Sequence, residues 1–109
     1  ADTAAVIGGD AVALRGLIGP GIDPHAYRQT AGDIAAMAGA DLILWNGLSL
    51  EAQMAAFPPD PRRSRREVAV AEGVPPDRLL ADEAYPEQFD PHVWMDPALW
   101  VHVISAILD

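Results

Sequence analysis

The sequence predicts an α/β fold, a parallel sheet with helices on both faces. Two observations carry that prediction. Short, nearly continuous apolar runs at residues 41–45 and 67–71 read as buried strands of a parallel sheet. Segments with helical spacing and helix-start signals alternate with them, which is the βαβ pattern. A third observation adds chemistry to the frame. A five-residue phrase occurs twice, as Asp23-Pro24-His25-Ala26-Tyr27 and as Asp90-Pro91-His92-Val93-Trp94, and it uses two of the three histidines in the chain.

Taken in order, residues 1–7 are alanine-rich and Gly8-Gly9 ends a helix there, so the segment reads as a helix tail whose start precedes Ala1. Residues 11–18 alternate, Val12 and Leu14 against Ala13 and Arg15, and predict a strand. Gly19-Pro20-Gly21 breaks it, placing His25 in a loop just past the strand's end. Thr30 is a helix cap with Asp33 in the first turn. Ile34, Met37 and Ala38 form that helix's apolar stripe, and Gly39 lies near its end. Residues 41–45 predict a strand buried on both faces, and Asn46-Gly47 ends it.

Residues 48–57 then read as helical. Residues 58–66, with three prolines and four arginines, read as a solvated connection rather than an anion-binding patch. A second buried strand follows at 67–71, a break at 73–76, a single helical turn at 77–80 and an acidic loop at 83–90. Asp96 as N-cap and Pro97 at the first helical position start the last helix. Its apolar face comprises Trp100, Ile104, Ile107 and Leu108, with His102 off that face at the surface.

Composition bounds the function. At 109 residues the chain is one domain or part of one, and half its residues are hydrophobic. No apolar run approaches the roughly 20 residues of a membrane span. The absence of cysteine excludes disulfides, thiolate zinc sites and a cysteine nucleophile. A net charge of −9, from 16 acidic and 7 basic residues, repels nucleic acid and anionic surfaces and attracts cations.

The repeated phrase suits a metal. Proline fixes its own φ and holds the residue before it extended, so each histidine leaves a stiff loop in a set direction. Neutral imidazole is the commonest side-chain ligand for transition metals, and a nearby aspartate orients it through the other ring nitrogen. One Asp-Pro-His alone reads as a turn. Two on a histidine-poor chain make His25 and His92 the candidate metal ligands, and the topology permits both to reach one edge of the sheet.

These residues carry a resemblance. The stretch from Gly19 through Asp23-Pro24-His25-Ala26-Tyr27 resembles the first ligand loop of the metal-binding lipoproteins of ABC importers, the solute-binding proteins for manganese, zinc or iron. The likeness continues through Ala40-Asp41-Leu42-Ile43-Leu44-Trp45-Asn46-Gly47-Leu48-Ser49-Leu50-Glu51, Glu72-Gly73-Val74 and Asp90-Pro91-His92-Val93-Trp94-Met95-Asp96-Pro97. It implies that His25 and His92 are the two ligands of an N-terminal lobe. In that family the metal lies between two α/β lobes joined by a long helix, and the second lobe adds an aspartate plus a glutamate or histidine. Residues 1–109 would then be a partial N-terminal lobe of a two-lobed metal-binding protein, without its first strand and without the second lobe.

The resemblance further implies a periplasmic or extracytoplasmic location, possible lipid anchoring, an ABC importer permease as partner, and a divalent Mn, Zn or Fe ion as cargo. Two local features depart from the family. Arg28-Gln29-Thr30 stands where Glu-Pro-Thr is common, and residues 81–89 lack the His-rich loop of zinc-specific members, which tilts the expectation towards manganese or iron. A lobe without an edge strand would also self-associate through its open sheet edge. Two other functions compete. A metallohydrolase would use the same histidines with Asp23, Asp90 or Asp96 as base, although no nucleophile elbow, phosphate loop or His-Glu-x-x-His helix is present. A ligand-free interaction domain would respond to no metal.

Overall fold

A computed structural model describes residues 1–52 and 66–109. Helix α1 spans Asp2–Gly8, α2 Ala31–Gly39 and α3 Pro97–Leu108; strands β1 and β2 span Leu42–Trp45 and Arg66–Ala69. Tight 3₁₀ turns lie at Gly9–Ala11, Val70–Gly73, Pro76–Arg78 and Val93–Met95. The two strands pair in parallel, with Leu42 opposite Arg66 and Trp45 opposite Ala69. The architecture is therefore α/β with a parallel sheet and helices, as the alternation of elements predicts.

The strands leave their pairing at a shared end. Past β2, the Ala71 N–H still donates to the Asn46 carbonyl at 2.9 Å, so the two chains stay together one step beyond the ladder. The turn Val70–Gly73 then carries the core. Val70, Ala71, Val74, Val93 and Val103 are buried together, with Leu99, Trp100, Ala106 and Ile107 packed against them. Gly73 permits this closeness, because a Cβ there would lie 3.2 Å from Ala106 Cβ and 3.5 Å from the His102 carbonyl.

Both predicted helix starts form as read. Asp96 accepts from the Ala98 N–H at 2.8 Å with Pro97 at the first helical position. Thr30 and Asp33 make a reciprocal capping box on α2. The buried faces differ from the sequence reading. In α2 the inward face is Asp33 and Met37, while Ile34 is exposed. Asp33 turns inward because its carboxylate receives the Tyr27 hydroxyl, the Thr30 N–H and the Thr30 hydroxyl. In α3 the core residue is Val103, and Leu108, one residue from the end of the chain, is 65% exposed. His102, expected at the surface, is half-buried.

Residues 11–18 do not form a strand. Val12 is extended, but the segment pairs with no described strand, and Val12 and Leu14 are both exposed. Alternation alone makes no strand without a ladder partner and an apolar surface to face. β1 is also less enclosed than predicted: Ile43 is buried, whereas Leu42 is 45% exposed. A helix from residue 48 is excluded by the backbone, since Gly47, Leu48 and Ser49 have φ of 84°, 52° and 65°. Left-handed non-glycine residues cost about 1–3 kcal/mol each, so other contacts must hold this turn. The rest of the predicted 48–57 helix and most of the 58–66 connection lie outside the described residues. Residues 81–90 form a loop closed by an Ala81–Phe89 bridge. Among the described residues, no helix is long and apolar enough to cross a membrane.

Candidate metal centre

Each Asp-Pro-His phrase folds into the same device. The Asp23 Oδ1 accepts from both the backbone N–H and the ring Nδ1 of His25, each at 2.9 Å. The Asp90 Oδ1 accepts from the His92 N–H at 2.9 Å and from its Nδ1 at 2.5 Å. A side-chain oxygen bonded to the N–H two residues on is an Asx turn, and the proline between pre-sets its φ.

The charge of each aspartate favours one tautomer of its histidine. The bond from the His25 ring, and then that from its N–H, hold the Asp23 carboxyl below its usual range. The His92 N–H, then its ring, do the same for Asp90. An ionised carboxylate only accepts, so Nδ1 carries the proton in each ring. In a neutral imidazole this leaves the Nε2 lone pair free for a cation.

The two phrases, far apart in sequence, meet. The imidazole centroids of His25 and His92 lie 5.5 Å apart, with the ring planes inclined by 40°. The side chains remain open to solvent, with relative exposures of 50% for His25 and 43% for His92. Trp94 stands edge-on to His92, with centroids 5.1 Å apart. Among the described residues no third His, Cys, Asp or Glu joins the pair to make a metal-holding cluster.

The loops are anchored by residues whose tethering role the sequence alone does not disclose. Tyr27 ties the first loop to α2 through Asp33, and its hydroxyl also lies 3.4 Å from the Leu17 carbonyl. That bond to Asp33 raises the Tyr27 pKa and, with Thr30, lowers that of Asp33. Asn46, at the carboxyl end of β1, donates through Nδ2 to the Pro91 carbonyl at 3.1 Å. The sequence signal for Asn46 was present as Asn46-Gly47 at a strand end with Glu51 shortly after, but it reads as a simple terminator. Asp96, one of the candidate bases, is occupied capping α3.

Paired imidazoles, each backed by a carboxylate, at the carboxyl end of a parallel sheet stand where α/β sheets bind ligands and are of a chemistry that suits a metal. The whole of residues 1–109 matches the ZnuA family, described as zinc-uptake complex component A, periplasmic, and the chain belongs to that family. It is 48% identical over 99 residues to the zinc-binding protein TroA of Treponema pallidum, covering 90% of this chain and 31% of that one. It is 39% identical over 108 residues to the manganese-binding lipoprotein MntA of Bacillus subtilis, covering 98% and 35%. With the iron-binding protein YfeA of Yersinia pestis it is 34% identical over 97 residues, covering 89% and 30%. The solved structure of TroA superposes with a TM-score of 0.88 at 45% identity, over 97% of this chain and 38% of that one. The chain thus spans about a third of the length of these curated relatives.

Proposed function

We propose that this chain is part of the N-terminal lobe of an extracytoplasmic metal-capture protein, with His25 and His92 as two of the metal's ligands. The cargo is a divalent first-row transition metal, delivered to the permease of an ABC importer. The observation that carries the reading is the 5.5 Å convergence of two imidazoles with their Nδ1 protons already held by carboxylates. Two rings bound through nitrogen at about 2.1 Å on a tetrahedral ion would have centroids about 5.3 Å apart, so the observed spacing needs little adjustment. The remaining ligands come from outside the described residues, in keeping with a pair left half open to solvent. The family's periplasmic description and the lipoprotein among the relatives support a location outside the cytoplasmic membrane, with or without a lipid anchor.

The chain acts by binding and not by catalysis in this reading. A metallohydrolase needs a free base beside the metal, and Asp23, Asp90 and Asp96 each hold a backbone N–H or a ring. The relatives named for zinc, manganese and iron support all three as cargo. The test is metal affinity of the full-length protein by competition with a chromophoric chelator. His25→Ala and His92→Ala are each expected to weaken Zn²⁺ and Mn²⁺ binding by more than about 100-fold, beyond what outer-shell changes do. Parent affinity in either variant would refute the assignment of that ligand.

A further inference from the structure

We infer that Asn46 is a positioning residue for His92, and that the strained turn after β1 exists to hold it. This rests on the metal-binding reading above. The Asn46 Nδ2 reaches across 45 residues of sequence to the Pro91 carbonyl. That carbonyl belongs to the same peptide unit as the His92 N–H, which Asp90 binds. The peptide plane is therefore pinned at both ends, and with it the direction in which His92 leaves the backbone.

A positioning group must itself be held, and Asn46 is bonded through both its backbone N–H and its carbonyl. Its N–H donates to Glu51 Oε1 at 2.8 Å, and its carbonyl accepts from the Ala71 N–H at 2.9 Å. The Glu51 Oε2 takes the Gly47 N–H at 3.1 Å, and the Asn46 Nδ2 also donates to the Gly47 carbonyl at 3.1 Å. One carboxylate thus clamps the entry to three consecutive left-handed residues, Gly47, Leu48 and Ser49. Strain of this kind persists only where surrounding contacts over-determine it. Gly47 cannot be replaced without collision, because a Cβ there would lie 2.8 Å from Ala69 Cβ. The arrangement is specific to the second phrase: Pro91 is buried under this contact, whereas the first phrase is tethered through Tyr27.

The amide is chemically required. Both Nδ2 protons are used on carbonyl oxygens, and an aspartate of the same shape would set a negative oxygen against them. The experiment compares Asn46→Asp, Asn46→Ala, Glu51→Gln and His92→Ala in the full-length protein. Zn²⁺ affinity is read by chelator competition, and imidazole signals by NMR of the metal-free protein. Asn46→Asp and Asn46→Ala are expected to weaken Zn²⁺ binding about 10–100-fold, the usual effect of an outer-shell partner. They should move the His92 ring signals and leave those of His25 in place. Glu51→Gln should produce the same selective pattern with a smaller loss, and it decides the matter if the Asn46 variants do not fold.

Affinity within twofold of the parent in the folded variants would overturn the inference. So would equal movement of the His25 and His92 signals, which marks a general structural role. His92→Ala separates the two levels. If it retains affinity, the metal reading itself fails; if it loses affinity while the Asn46 and Glu51 variants do not, only the positioning role fails.

Discussion

A single oxygen does two jobs in each phrase, shaping the backbone turn and orienting the ring. Replacing it separates geometry from charge. Asp90→Asn retains an oxygen for the turn but weakens the acceptor that keeps the proton on Nδ1. Zn²⁺ affinity of the full-length protein is expected to fall about 10–100-fold in Asp90→Asn and in Asp23→Asn, measured by chelator competition. Loss of less than twofold in both would mean that the carboxylates serve the turn alone. This device was legible in the sequence because its parts lie within two residues of each other. Asn46 was not, because its partner is 45 residues away and only the folded sheet brings them together.

At the scale of elements, local signals were read well and burial was not. The caps of α2 and α3 are local chemistry, and both formed as expected. Which face turns inward depends on distant contacts, so Asp33 displaced Ile34 from the inner face of α2 and Val103 took the centre of α3's. Residues 11–18 failed as a strand for the same reason, since a strand is defined by its neighbour. The α2 cap gives a prediction with a sign. Bonds from the Tyr27 hydroxyl, then from the Thr30 N–H and hydroxyl, lower the Asp33 pKa, so ionised Asp33 stabilises the fold. That contribution is complete above the unfolded value, near 3.8, and is lost as pH falls through the lower folded value. Asp33→Asn is therefore expected to be less stable than the parent at neutral pH and to show a flatter acid limb in urea melts. Thr30→Ala, which removes the other half of the capping box, should cost about 1 kcal/mol in the same assay. Parallel pH profiles for Asp33→Asn and the parent would remove Asp33 from the account.

At the scale of the whole molecule, the parallel α/β frame was legible from alternating elements, while the meeting of the two phrases was only permitted by it. The frame leaves a consequence at its edges. Among the described residues β1 and β2 form a two-stranded parallel sheet. Two-stranded sheets are marginal alone, and open edges pair with other chains. A net charge of −9 opposes such pairing. The repulsion is long-ranged and screened within about 8 Å at 0.15 M salt, whereas edge hydrogen bonds act at contact and are little affected. Residues 1–109 prepared by themselves should therefore self-associate, and more strongly as salt is raised. Sedimentation equilibrium should give a mass rising with concentration above 11.6 kDa. Leu42→Lys, which places an ammonium on the half-exposed start of β1, should reduce the association, as charged edge residues do in natural sheets. A mass fixed at 11.6 kDa across concentration and salt would show that the edges are covered within one chain. Association that weakens with added salt would assign it to charge pairing between copies instead of to the sheet.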